Sequence, residues 1–255
     1  MRCGFHFILL FIIFACFINT IVFPQEEIPL PRIQVGIDRV EKPRDLVITL
    51  EILLLITVLA LAPSILVLMT SFTRIIVVFS FLRNALGTRQ TPTNQILIGL
   101  SLFLTFFIME PVFKDIYNYA LQPYMNGEIG YEEMFKRAMV PIRGFMIKQI
   151  KIHHNEDNID MLLESLKRPK VKNIEDTPTS VLIPAFVISE LEIAFKMGIL
   201  LYIPFILVDM IVASILLAMG MIMVPPVLVS LPFKVLIFVL VNGWDLLVSG
   251  LIRSF

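Results

Sequence analysis

Apolar residues run along this chain in long blocks separated by short polar ones, and that alternation orders it. Residues 1–23 start with Arg2 and run apolar from position 5 to 18. This is the layout of a secretory signal peptide, with an uncleaved membrane anchor as the other reading. Residues 24–45 are polar and carry Pro24, Pro29, Pro31 and Pro43, which predicts an extended exported tail rather than a helix. A long apolar run follows to Met69, broken by Glu51 and Pro63, and a second covers residues 94–109. Gly87 is suited to end a helix and Pro92 to begin one, so residues 46–109 read as a first helical hairpin. Its connection carries Arg74, Arg83 and Arg89 with no acidic residue, and by the positive-inside rule it faces the cytoplasm.

Residues 110–180 form the one sizeable polar region after the tail and then belong on the exported, periplasmic side. Phe113, Ile116 and Tyr117, then Met134, Phe135 and Ala138, then Met161, Leu162 and Leu166 recur at helical spacing, which predicts two or three amphipathic helices. Residues 181–255 are almost continuously apolar, and Pro204, Pro225-Pro226 and Gly243 punctuate them into three helical pieces. The expected fold is all-α: integral membrane hairpins with a small helical extramembrane region.

Composition agrees with this pattern. Of 255 residues, 57% are hydrophobic and 16% charged, against about a quarter charged in soluble domains. Mean hydropathy is +0.86. Lys plus Arg equals Asp plus Glu at 21 each, so net charge gives no pull toward nucleic acid. The only cysteines, Cys3 and Cys16, lie in the first apolar run, and a cleaved chain would hold no disulfide or thiolate metal site. His153-His154 beside Asn155, Glu156 and Asp157 reads as a solvated loop pair before it reads as a metal site, which needs three or four converging ligands. No Gly-rich phosphate loop, paired catalytic carboxylates or nucleophile–base set is visible, so neither an enzyme nor a cofactor is implied.

The stretch from 184 to 234 departs from a plain membrane span. It carries Glu190, Glu192, Lys196, Asp209 and Lys234 in an apolar background, and five prolines cut it. Charges at bilayer depth cost a few kcal/mol or more each and are usually functional. Glu192 and Lys196 are spaced i,i+4 and pair on one helix face. Glu190 lacks such a neighbour, and Lys234 is its expected partner, within the chain or across a subunit boundary. Asp209 is a second acid in need of a cation, with Arg74 or Arg83 as candidates. Met219, Met221 and Met223 precede Pro225-Pro226 and flank Ile222, so the helix should end or kink near Val224, with Gly220 loosening the turn. Unbranched thioethers there would form a soft constriction, while ordinary core packing is the competing account.

Thr70-Ser71-Phe72-Thr73-Arg74, Leu82-Arg83-Asn84-Ala85-Leu86-Gly87, Ser189-Glu190-Leu191, Phe195-Lys196-Met197-Gly198 and Leu231-Pro232-Phe233-Lys234 stand in the order in which they resemble the FliP family. This resemblance covers nearly the whole chain after residue 46. It implies a membrane pore subunit of the flagellar type III export gate in the bacterial inner membrane. It further implies a homo-oligomer of about five copies, joined by FliQ and FliR, that passes unfolded flagellar proteins. The family's methionine-rich gate falls on Met219 and Met221, with Ile222 where a third methionine is usual. Phe145 falls where the family has an aromatic near the pore entrance, a core position on an amphipathic helix being the alternative. Virulence-type relatives generally lack an exported tail and cleaved leader, which favours the flagellar branch. A small-solute transporter with broken helices is a further reading.

Overall fold

The computed structural model describes residues 53–255 apart from 54, 55, 58, 59, 62, 89 and 222. The expected signal peptide and exported tail, Arg89 and Ile222 therefore lie outside the described residues.

Every regular element among the described residues is helical. In chain order they are α1 (Pro63–Met69), α2 (Phe72–Leu86) and α3 (Asn94–Met125), the last passing through a π-helical turn at Tyr117–Leu121. The chain continues with α4 (Tyr131–Ile152), α5 (Asp157–Ser165), α6 (Thr179–Ala218), α7 (Pro226–Leu240) and α8 (Gly243–Arg253). By length and apolarity α3 and α6 each suffice to cross a membrane, and up to four spans result if the bent pairs α1–α2 (81°) and α7–α8 (64°) each count as one.

The cationic connection expected at residues 70–92 is mostly a helix. In α2, Ile75, Val78, Phe79, Leu82 and Leu86 recur at helical spacing and are buried, a periodicity that burial rewards more than a loop. The turn between α2 and α3 is correspondingly short. It opens on Gly87, whose φ of +77° suits a residue without Cβ. Arg74 is therefore not a loop cation but a fully buried helix residue. Arg83, near the other end of α2, does face the turn and donates to Asn94 Oδ1.

Helices α2 and α6 run parallel. Arg74 meets Glu190, Phe81 meets Phe195, and Tyr202 donates to the Asn84 carbonyl further along. Gly198 permits this approach, because a Cβ there would stand 2.5 Å from the Phe81 ring. The chain returns antiparallel through α7 and α8. Phe205 packs on Phe238, Phe238 on Trp244, and Trp244 on Phe79. At the end Ser254 reaches Arg74. The break between α7 and α8 falls at Asn242, in the left-handed region at φ +51°.

Two cores result. One lies among α2, α3, the middle of α6, α7 and α8, with Phe79, Leu82, Ala194 and Leu251 at its centre. The other joins α4 and α5 to the start of α6, with Met146, Ile150, Leu163 and Phe186 buried. Pro204 does not end a helix: it lies inside α6, which is 40 residues long. At 1.5 Å per residue that is about 60 Å, twice a hydrocarbon core of about 30 Å. One end of α6 is covered by the α4–α5 bundle, and the other projects beyond the α2–α3 turn.

Candidate functional site: two ion pairs and a methionine tip

Arg74 and Glu190 form a bidentate pair with both side chains at 0% exposure. Arg74 Nε donates to Glu190 Oε2 at 2.9 Å and Nη2 to Oε1 at 2.5 Å. Nη2 also donates to Gln149 Oε1 at 3.1 Å, and Nη1 to the carbonyl and hydroxyl of Ser254 at 2.7 and 3.0 Å. The Phe255 ring covers the guanidinium at 3.8 Å. The cluster thus ties α2, α4, α6 and the segment after α8 together where the two cores meet. His153 Nε2 shares the Ser254 carbonyl at 3.2 Å. Burial, together with the charge of Arg74, holds the His153 imidazole below its ordinary value.

The second pair lies further along α6. Lys234 Nζ stands 2.6 Å from Asp209 Oδ2 and donates to the Ala85 carbonyl at 3.2 Å. Ser230 donates to Asp209 Oδ1 at 2.5 Å. Lys234 is buried and Asp209 half-buried. The two acids have therefore exchanged the partners expected of them: Glu190 takes Arg74, and Asp209 takes Lys234. The parallel register of α2 and α6 explains the exchange, since it sets Arg74 level with Glu190 and far from Asp209. Arg83 faces the turn and joins neither acid. Glu192 and Lys196 pair at 2.8 Å on an exposed face, as their spacing predicts.

Beyond Asp209 the α6–α7 hairpin buries Val212 and Leu216, and Gly87 of the α2–α3 turn lies against Val227, but its end is exposed. Met219 is 58% exposed, Met221 40% and Met223 96%. The prolines do not end α6, which stops earlier. Met221 N–H bonds the Leu216 carbonyl at 2.9 Å and Gly220 N–H the Leu217 carbonyl at 3.0 Å, with Gly220 at φ +76°. This reciprocal pattern around a left-handed glycine is a Schellman cap. Pro225 and Pro226 instead start α7, where a missing N–H costs nothing. An apolar groove of about 360 Å³, lined by Ile211, Ile215, Met219 and Phe233 among others, runs up the hairpin.

Phe145 takes the core alternative. It is 8% exposed and packs against Phe186 and Phe255. His153 and His154 part company: His153 joins the Arg74 cluster, while His154 occupies the left-handed position after α4 at φ +54°. Gln149, Ser254 and Phe255 were not legible as site residues. Gln149 alone left a trace, as one polar side chain on the helix face of Phe145, Met146 and Ile150.

These features define a class: a helical protein with apolar helices long enough to cross a membrane, two ion pairs inside and apolar faces left open. The FliP family model matches residues 55–251, and the chain belongs to that family. The flagellar biosynthetic protein FliP of Bacillus subtilis is 48% identical over 84% of this chain and 95% of its own length. Its counterpart in Aquifex aeolicus is 51% identical over 83% of this chain and 87% of its own, and that of Borreliella burgdorferi 49% over 83% of each.

Proposed function

We propose that this chain is a pore subunit of the flagellar type III protein export gate in the bacterial inner membrane. It acts as one of about five identical copies with FliQ- and FliR-family partners, and unfolded flagellar proteins pass between the copies. Family membership supports the flagellar assignment.

The observation that carries the pore reading is the hairpin of α6 and α7, which projects past the turn between α2 and α3 and exposes three methionines at its end. An apolar turn of this kind facing water or lipid alone has no evident use. Ringed by copies of itself, it makes a narrow opening lined by thioethers. Such side chains seal against ions yet deform around a moving peptide, because each has three rotatable bonds and a polarizable sulfur. Met219, Met221 and Met223 are the constriction in this account, with Ile222 as the stiff position among them. Phe145 has no part in it, being buried within its own subunit. The chain supplies no chemistry for driving transport, so energy comes from partner proteins or the proton gradient.

Sidedness follows from charge. Arg83 lies by the turn between α2 and α3, at the end toward which the methionine tip projects. By the positive-inside rule that end faces the cytoplasm, and the bundle of α4 and α5 faces the periplasm.

Purification in mild detergent with the neighbouring membrane proteins co-expressed, followed by native mass measurement, tests the reading. A multi-copy complex containing the partners is expected. A lone chain that moves a small solute would overturn it in favour of a transporter.

A further inference from the structure

Asp209 and Lys234 lie where three elements meet. The last turn of α2 presents its carbonyls there: Asn84 accepts from Gly87 N–H and from the Tyr202 hydroxyl, and Ala85 accepts from Lys234. Lys234 therefore joins the α6 carboxylate to an α2 carbonyl. The carboxylate could be exchanged for other acceptors, but a carbonyl demands a donor. Position 234 is held to a donor by the α2 helix end as well as by Asp209.

Next to this junction the two hairpin helices are each missing a rung. Pro204, five residues before Asp209, has no N–H for the Leu200 carbonyl, and Pro232 has none for that of Leu228. Past the junction, Met210, Ile211, Ile215 and Leu228 are exposed. The hairpin is thus softest beside the polar contacts that fasten it to the last turn of α2, Lys234 on the Ala85 carbonyl and Tyr202 on that of Asn84.

We infer that Asp209 and Lys234 are the positioning residues of the methionine tip. Anchored on the Ala85 carbonyl, the pair fixes the angle at which the α6–α7 hairpin leaves α2. Pro204 and Pro232 are the points about which the hairpin turns when the anchor is released. The inference rests on the reading of the tip as the constriction only for its consequence; the clamp itself is a matter of distance.

Spin labels at exposed positions 90 and 228 test it, introduced as Gln90→Cys and Leu228→Cys with Cys3 and Cys16 replaced by Ser. Labelled chain is diluted into unlabelled copies of the assembled membrane complex, and the label-to-label distance distribution is measured. Lys234→Met is expected to broaden the distribution roughly twofold, as for a released hinge, while Lys234→Arg keeps it narrow. The exchange Asp209→Lys with Lys234→Asp should not restore it, because a carboxylate at 234 faces the Ala85 carbonyl. Ser230→Ala, which removes the hydroxyl's bonds to Asp209 and to the Val227 carbonyl, broadens it in the same sense and serves if Lys234→Met does not assemble. An unchanged distribution in these variants, or full restoration by the exchange, overturns the clamp. Ion conductance of the same samples separates the two claims: a broadened distribution with unchanged conductance keeps the clamp and removes the methionines as the seal.

Discussion

Arg74 has five N–H donors, and five bonds use them, two on Glu190, two on Ser254 and one on Gln149. Desolvating such a pair is expensive, and it persists only when its hydrogen bonding is complete. Removing one charge leaves the other buried and unpaired. Glu190→Gln should therefore destabilise the chain by about 3–5 kcal/mol, whereas Arg74→Met with Glu190→Leu recovers much of the loss. Thermal unfolding in detergent reads both; a near-neutral Glu190→Gln would show that the acid is not held as an ion. His153 gives a pH dependence at the same cluster. Its folded value lies below the ordinary 6.5, so the unfolded chain takes up the proton first as pH falls. Stability contributed by the neutral imidazole is present above 6.5 and is lost as pH drops from there toward the lowered folded value. His153→Asn should flatten the fall in melting temperature across that window, and an unchanged profile would place the proton elsewhere.

At the scale of elements, Gly198 sets how closely α2 and α6 pack. A methyl there would meet the Phe81 ring at 2.5 Å, on the ring's attached carbon rather than a flexible end. Gly198→Ala should cost about 1–3 kcal/mol as overpacking, and Phe81→Ala in the same chain should relieve part of it. Equal losses that simply add would mean that the two positions do not meet. The same interface marks what the sequence could and could not say. Apolar spacing placed helical segments at 94–109, 113–121, 134–139 and 161–166, because local spacing is all that a helix face requires, but the first two are one helix, Asn94–Met125, that runs through the boundary expected at 109–110. It also identified Glu190 and Asp209 as acids needing partners. It could not assign the partners, since Arg74 is 116 residues from Glu190 and only the parallel register of α2 on α6 brings them together. The end of α6 falls earlier than the prolines suggest for a related reason. Pro225-Pro226 is the stronger signal in the sequence, but Gly220 acts first and caps the helix. Pro204 likewise does not break α6, because a long apolar helix absorbs one lost hydrogen bond.

As a whole molecule, the chain carries more exposed apolar side chains than its own core uses. Its two buried ion pairs are closed inside, while Phe103, Leu200, Met210, Leu217, Leu228 and Leu240 are each more than 60% exposed. Scattered apolar residues are ordinary on a surface, but continuous apolar flanks on helices this long belong in lipid or against neighbouring subunits. The length of α6 favours a share of both, since it exceeds the hydrocarbon thickness about twofold. On this view the buried ion pairs hold each subunit's shape, and the open flanks build the ring that brings the methionine tips together. The claim that these tips line the path of the exported chain is tested most directly by a photo-crosslinking residue at position 221, with a flagellar export substrate stalled in transit. The account predicts crosslinks both to the stalled substrate and to neighbouring copies of this chain. Crosslinks to lipid alone, with none to substrate, would contradict it.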